Sequence, residues 1–196
     1  MSKRKKSRHL TQAERLDIAI ADAVALKSKR LPGRAVAAFG DLGDQEPLFG
    51  VGAGVLASGL VFGERKTAVA GLRMLAALGP ATFAKTLIKN RIDRTRPDET
   101  LAKRRYKFDQ GSSRDGNLRS LPSGHSAGSV AVARAATRDY PAASAALGIG
   151  AAAIAAAQLP SRNHFLTDVL AGAALGWASE WLASTAIDAA FRRAPT

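Results

Sequence analysis

Apolar and charged residues are segregated along this chain rather than mixed. Leu48 to Gly63, LFGVGAGVLASGLVFG, holds no charge. Thr67 to Phe83 holds only Arg73, Ser126 to Ala136 only Arg134, and Val169 to Ile187 only Glu180. Ala142 to Leu159 is almost wholly Ala, Gly, Ile and Leu. None of these blocks alternates polar and apolar positions as a half-buried strand does, so each predicts a helix and the class is all-α. Upstream, Thr11 and Glu14 have capping-box spacing. Leu16, Ile20, Ala23 and Val24 then share one face, with Asp17 and Asp22 elsewhere. This predicts an amphipathic helix that stops near KSKRLPG, at Pro32 and Gly33.

A bilayer span needs about 20 apolar residues. The first block approaches that length once Pro47 and its flanks are included, and GERK after it makes a tight turn. The five blocks predict a multi-span transmembrane bundle of about five spanning helices. The N-terminal helix is too polar to span and suits the membrane surface. Residues 1–40 then read as a basic tail with an interfacial helix, and 41–196 as the bundle domain. Small residues recur four apart at Gly50 and Gly54, and at Gly172 and Gly176, a pattern that lets helices approach closely in lipid. The same pattern packs Ala/Gly-rich soluble bundles.

Composition narrows the chemistry. There is no cysteine, which excludes disulfides and thiolate metal sites. The formal charge of +13 suits an anionic partner. Nucleic acid would need a reading element or stacking aromatics beside that charge. The tyrosines and tryptophans are few and scattered, so no nucleic-acid partner is expected. The start, MSKRKKSRHL, has no apolar core behind it and is not a secretory signal. It reads as a basic tail that could touch anionic lipid headgroups. The chain has three histidines: His9 in this tail, His125 and His164.

Three polar clusters interrupt the apolar blocks. In KNRIDRTRP, Lys89 and Arg96 would share a face of a continuous helix, with Pro97 forcing an exit. A solvated basic helix end reads the same way. In SLPSGHSAG, a Pro-Gly turn precedes a helix. Ser123, Gly124 and the backbone N–H groups would then stand at a helix N-terminus, a favourable place for phosphate, with His125 beside them. A capped helix start explains much of this pattern too. In SRNHFLTDVLAG, Asp168 lies one turn after His164. A carboxylate on one ring nitrogen fixes the tautomer and raises the basicity of the other. Alone, Asp168 reads equally as a capping residue.

Together the clusters say more. In a membrane bundle, the helices at 48–63 and 67–83 return the chain to its starting side. All three clusters then lie on that side. Two imidazoles and at least two cations surround an anion, without a carboxylate or cysteine set suited to a metal. Neither a metal nor a cofactor is therefore expected. Phosphoryl transfer fits, with one imidazole attacking and the other protonating the leaving oxygen.

These clusters resemble the type 2 phosphatidic acid phosphatase (PAP2) superfamily, which also holds the bacterial class A acid phosphatases and the vanadium haloperoxidases. Lys89, Arg96 and Pro97 match its K-x6-R-P motif, and Pro122 to His125 its P-S-G-H motif. His164 and Asp168 match the second half of S-R-x5-H-x3-D. GDLGDQEPL is also similar to small bacterial members. The resemblance implies a PAP2/haloperoxidase-like helical core from about Asp41 onward. It implies that His164 is the nucleophile, that Asp168 orients it and that His125 is the acid. Lys89, Arg96, Ser123 and Gly124 would hold the phosphate, with no metal. The expected partners are a lipid phosphate or diphosphate substrate and the membrane lipids.

One position departs. The arginine six residues before the histidine is Gln158 here, and Arg162, Arg91 or Arg94 would have to compensate. Loss of such a charge-assisted clamp is worth roughly 1.5–3 kcal/mol, or about 10- to 150-fold in rate. Two other readings follow: a vanadate-dependent haloperoxidase-like enzyme, and a catalytically weakened anion-binding membrane protein. The basic loop from Lys89 to Ser120 and the basic tail share the motif side. The positive-inside rule points that side to the cytoplasm.

Overall fold

The structure, a computed structural model, describes residues 10–25 and 31–193. The basic tail with His9 lies outside these residues. Helix α1, Gln12–Val24, opens on the capping box read from Thr11 and Glu14. Its buried residues are Glu14, Asp17 and Ala21, while Leu16 is 63% exposed. The helix thus turns acids inward and much of its apolar stripe outward.

Helix α2, Leu31–Gly40, was not expected. The sequence predicts a stop at Pro32 and Gly33, but a proline in the first turn of a helix sacrifices no intrahelical bond and serves as a start. A 3-10 turn, Asp41–Gly43, leads into α3, Gln45–Val61. Helix α4, Arg65–Lys89, runs through Pro80 and extends six residues beyond the predicted block. Next come the strand β1 (Ile92–Arg94), helix α5 (Pro97–Lys103) and strand β2 (Phe108–Gln110). β1 and β2 pair antiparallel, with Asp93 opposite Asp109. Three-residue strands are too short to show a period, so the sequence reading contained no strand. The chain closes with α6 (Gly124–Asp139), α7 (Ser144–Ala157) and α8 (Leu166–Arg193).

Helices α4, α6 and α8 pack on one another, with α3 laid on α4 and α7 on α6. The core joins Met74, Ala77, Leu78 and Ala81 to Ala131, Val132, Ala135 and Ala183, with Leu48 from α3. Small side chains dominate it, so close backbone approach does much of the packing. A Cβ on Gly172 would collide with the Ser123 carbonyl, and one on Gly176 with the Ala127 carbonyl. The Gly172/Gly176 pattern is therefore a real helix contact. Gly50 and Gly54 face open space instead, and the close glycines of the α3–α4 pair are Gly59 against Ala68 and Gly71 against Leu56.

The charges inside the apolar blocks are paired. Arg73 meets Asp139 at 3.1 Å and Asp188 at 2.5 Å. Glu180, fully buried, lies 3.1 Å from Arg134 and 2.8 Å from Arg138. Buried charges persist in an apolar setting when matched this way. Among the described residues, α4 is the helix long and apolar enough to cross a membrane by itself. The run Pro141–Ala157 is apolar but shorter.

Candidate active site

The ends of several elements surround a cavity of about 380 Å³. It is lined by Lys85 and Lys89 from α4, Arg96, Arg119, Gly124 and His125 from the start of α6, and His164 from the loop before α8. Lys89 and Arg96 do come together, but not on one helix. α4 ends at Lys89, and Arg96 returns by way of β1. The Arg96 backbone N–H donates to Asn117 O at 2.9 Å, and its Nε to Gly116 O at 3.0 Å. Lys89 Nζ donates to the Arg119 carbonyl at 2.8 Å.

His164 is 1% exposed, and its ring centroid lies 6.1 Å from that of His125. Its Nδ1 is 3.9 Å from Asp168 Oδ2, too far for a hydrogen bond. The reason is that donors already fill Asp168. Arg94 Nη1 lies 2.6 Å from Oδ1, while Ser120 Oγ at 2.5 Å and the Phe165 N–H at 2.9 Å bond to Oδ2. Asp168 therefore caps the start of α8 and grips the main chain next to His164 through the Phe165 N–H; the expected carboxylate–imidazole hydrogen bond is not formed. His164 lies outside the helices. Burial, then the charges of Lys89 and Arg96 and the nearby His125, hold its pKa well below the usual imidazole value. The ring is thereby kept neutral, with a lone pair available.

His125 Nε2 lies 2.8 Å from Asp44 Oδ1, while its Nδ1 is buried without a hydrogen-bond partner. Gly43 makes this possible, since a Cβ there would come within 3.1 Å of His125 Cβ. The GDLGD turn is thus pressed against the acid candidate. Asp41, Asp44 and His125 present ligand atoms within 4.8 Å of one another, the grouping among the described residues that a cation could use.

Ser123 is fully buried as the N-cap of α6. Its Oγ accepts from the Ser126 N–H at 3.3 Å and the Ser126 hydroxyl at 2.9 Å. Its own N–H donates to the Asp168 carbonyl at 3.0 Å. Gly124 does line the cavity, and Lys85 lies over it: a Cβ on Gly124 would sit 3.3 Å from Lys85 Nζ.

Gln158 is fully buried but outside this lining. Its Oε1 accepts from Asn163 Nδ2 at 3.2 Å, and a Cβ on Gly40 would come within 2.6 Å of its Nε2. It plugs the space below α2. Arg162 points to Asp98 at 3.6 Å. Arg94 is committed to Asp168 and Asp17. None of these supplies the missing clamp. The cations that sequence reasoning passed over are Lys85, one turn before Lys89, and Arg119, next to the SLPSGH turn. Their nearness to the motifs in sequence was the available signal.

Paired imidazoles over a cation-lined pocket, on a bundle built from α4, α6 and α8, define the class. The profile of the PAP2 superfamily matches residues 70–192, and the chain belongs to that family. It is a phosphoric ester hydrolase of PAP2 type. No curated protein sequence matches it. Among solved structures it is similar to the transmembrane PAP2-type phosphatidylglycerolphosphate phosphatase from Bacillus subtilis. The match has 22% identity, covers 95% of this chain and 91% of that one, and has a TM-score of 0.66. At that identity the likeness concerns the fold, a predominantly helical bundle.

Proposed function

We propose that this protein is a multi-pass membrane phosphatase that removes phosphate from a lipid phosphate or diphosphate through a phosphohistidine, without a metal. The observation that carries this reading is the buried His164 ring, 6.1 Å from His125, opening on a cavity lined by Lys89 and Arg96. His164 Nδ1 faces Asp168, which leaves Nε2 to attack phosphorus. As the P–O bond to the lipid breaks, His125 gives its proton to the departing oxygen. Water then attacks the phosphohistidine while His125 takes a proton from it, releasing phosphate and restoring both rings. Lys89, Arg96 and the Gly124 N–H bind the phosphate oxygens. The exposed apolar side chains of the helices, such as Val51, Phe83, Leu170 and Trp181, suit lipid, so the acyl chain stays in the bilayer as the headgroup enters. The basic loops support a site on the cytoplasmic side of the cell membrane.

The test is phosphate release by detergent-purified protein from a panel of lipid phosphates, with and without excess chelator, beside His164→Ala. Release that survives chelator and vanishes in His164→Ala is the expected result. Release lost with chelator alone would assign a cation to Asp41, Asp44 and His125 and overturn the metal-free mechanism. Halide oxidation with added vanadate, in place of phosphate release, would favour the haloperoxidase reading.

A further inference from the structure

We propose that Asp17, on α1, is a positioning residue for phosphoryl transfer: it holds Arg94 against Asp168 and so fixes the segment that carries His164. This rests on the phosphatase reading above. Asp17 lies outside the family match, which begins at residue 70.

The connections are direct. Asp17 is 2% exposed, and its Oδ2 lies 2.7 Å from Arg94 Nη2. The other arm of the same guanidinium lies 2.6 Å from Asp168 Oδ1. Asp17 also reaches the first turn of α8, accepting from the Thr167 N–H at 3.1 Å and from Thr167 Oγ1 at 2.5 Å. Arg94 Nη1 donates to the same Thr167 hydroxyl at 2.7 Å. The guanidinium cannot swing away. It is 2% exposed and boxed in by the rings of Phe165 at 4.7 Å, Phe108 at 5.1 Å and Tyr106 at 5.8 Å. A planar fork between two carboxylates transmits orientation, because its donors leave in fixed directions.

The burial pattern of α1 supports a role beyond adhesion. α1 turns Asp17 to the protein and leaves Leu16 outside, where it can face lipid. Burying a carboxylate beside arginine adds little or no net stability over an apolar pair of the same volume. Its return is order: Thr167 and Asp168 are gripped from both sides, and Asp168 in turn holds the Phe165 N–H, one residue from the imidazole.

Asp17→Asn in the full-length detergent-purified protein keeps an acceptor for the Thr167 N–H and removes the charge. The expected kcat falls about 10- to 100-fold, the usual cost of losing a group that orients a histidine through an intermediary. KM and inhibition by inorganic vanadate, which report the phosphate pocket, should change by no more than about twofold. The double variant Asp17→Asn/Arg94→Gln should be no slower than the slower single variant, since both break one connection. Thr167→Val, which leaves every charge in place, should show the same kcat-only signature at smaller size, and serves as the test should Asp17→Asn fail to fold. An unchanged kcat overturns the proposal. So do losses that add in the double variant, and so does vanadate inhibition that weakens in step with kcat, which would mark a general loss of structure. His164→Ala separates the two layers. If it still turns over substrate, the histidine mechanism fails; if it is dead while Asp17→Asn is fully active, only the role of Asp17 fails.

Discussion

Asp168→Asn is the substitution whose outcome the structure fixes most tightly. The side chain is fully buried, and among the described residues its hydrogen-bond partners are all donors: Arg94 Nη1, Ser120 Oγ and the Phe165 N–H. A carboxylate accepts from all three. An amide presents one oxygen and one NH2, so either orientation sets a donor against a donor. If the NH2 faces Arg94, the buried guanidinium keeps, among the described residues, Asp17 alone as a counter-charge. If it faces Ser120 and Phe165, the cap of α8 is lost. Breaking one side of a buried ion pair costs about 3–5 kcal/mol, and an unmet buried donor about 1–3 kcal/mol. Stability should therefore fall by roughly 3–5 kcal/mol, with the ion-pair loss setting the scale. Catalysis should fall by at least about 100-fold, because the shifted main chain carries His164 off line. Thermal unfolding in detergent and lipid-phosphate turnover measure the two effects. A variant that unfolds at the wild-type temperature and keeps more than a third of the wild-type rate would refute the reasoning.

Other outcomes follow from the same geometry. The His164 pKa is depressed in the folded protein, so below the ordinary imidazole value of 6.5 the unfolded chain takes up a proton that the folded chain refuses. Stability should therefore fall as pH drops through that value toward the folded pKa, and unfolding temperatures of His164→Gln should lack this component. Gly172→Ala drives a methyl into the Ser123 carbonyl and should cost about 1–3 kcal/mol along with most activity. Gly50→Ala, in open space, should unfold at or slightly above the wild-type temperature and turn over normally. Gln158→Arg forces a larger side chain into the filled space beside Gly40 and should destabilise by about 1–3 kcal/mol without tightening vanadate inhibition. A tighter inhibition constant would mean that an arginine at 158 does reach the cavity.

The legible parts of this protein are those encoded over short distances. Thr11 and Glu14 announce their cap, and the turn at Pro122 to Gly124 announces the start of α6. His164 and Asp168 are four residues apart. What escaped depends on partners far along the chain. Nothing near Asp17 in sequence identifies Arg94, 77 positions away, and nothing near Asp44 identifies His125. Glycine spacing alone did not distinguish Gly50, which faces outward, from Gly59, pressed on Ala68, because both sit in the one uncharged block from Leu48 to Gly63. The departure at Gln158 was visible, but its physical meaning was not. The residue is a buried plug, and the cavity draws Lys85 and Arg119 instead. Lys89 and Arg96 line one cavity, though they reach it through a turn and strand β1 that a helical period does not describe.

The contacts of Gly172 with Ser123 and of Gly176 with Ala127 join main chain to main chain. His125 rides on one side of this seam and His164 on the other. The separation of the two imidazoles is therefore gauged by two backbones, which yield far less than side chains that can re-rotamer. Lys85, Arg119 and the turn at Asp44, which line the same cavity, hold no such main-chain seam and are free to change. This separation lets the cavity's charged lining be substituted while the spacing of the two histidines is passed on unchanged.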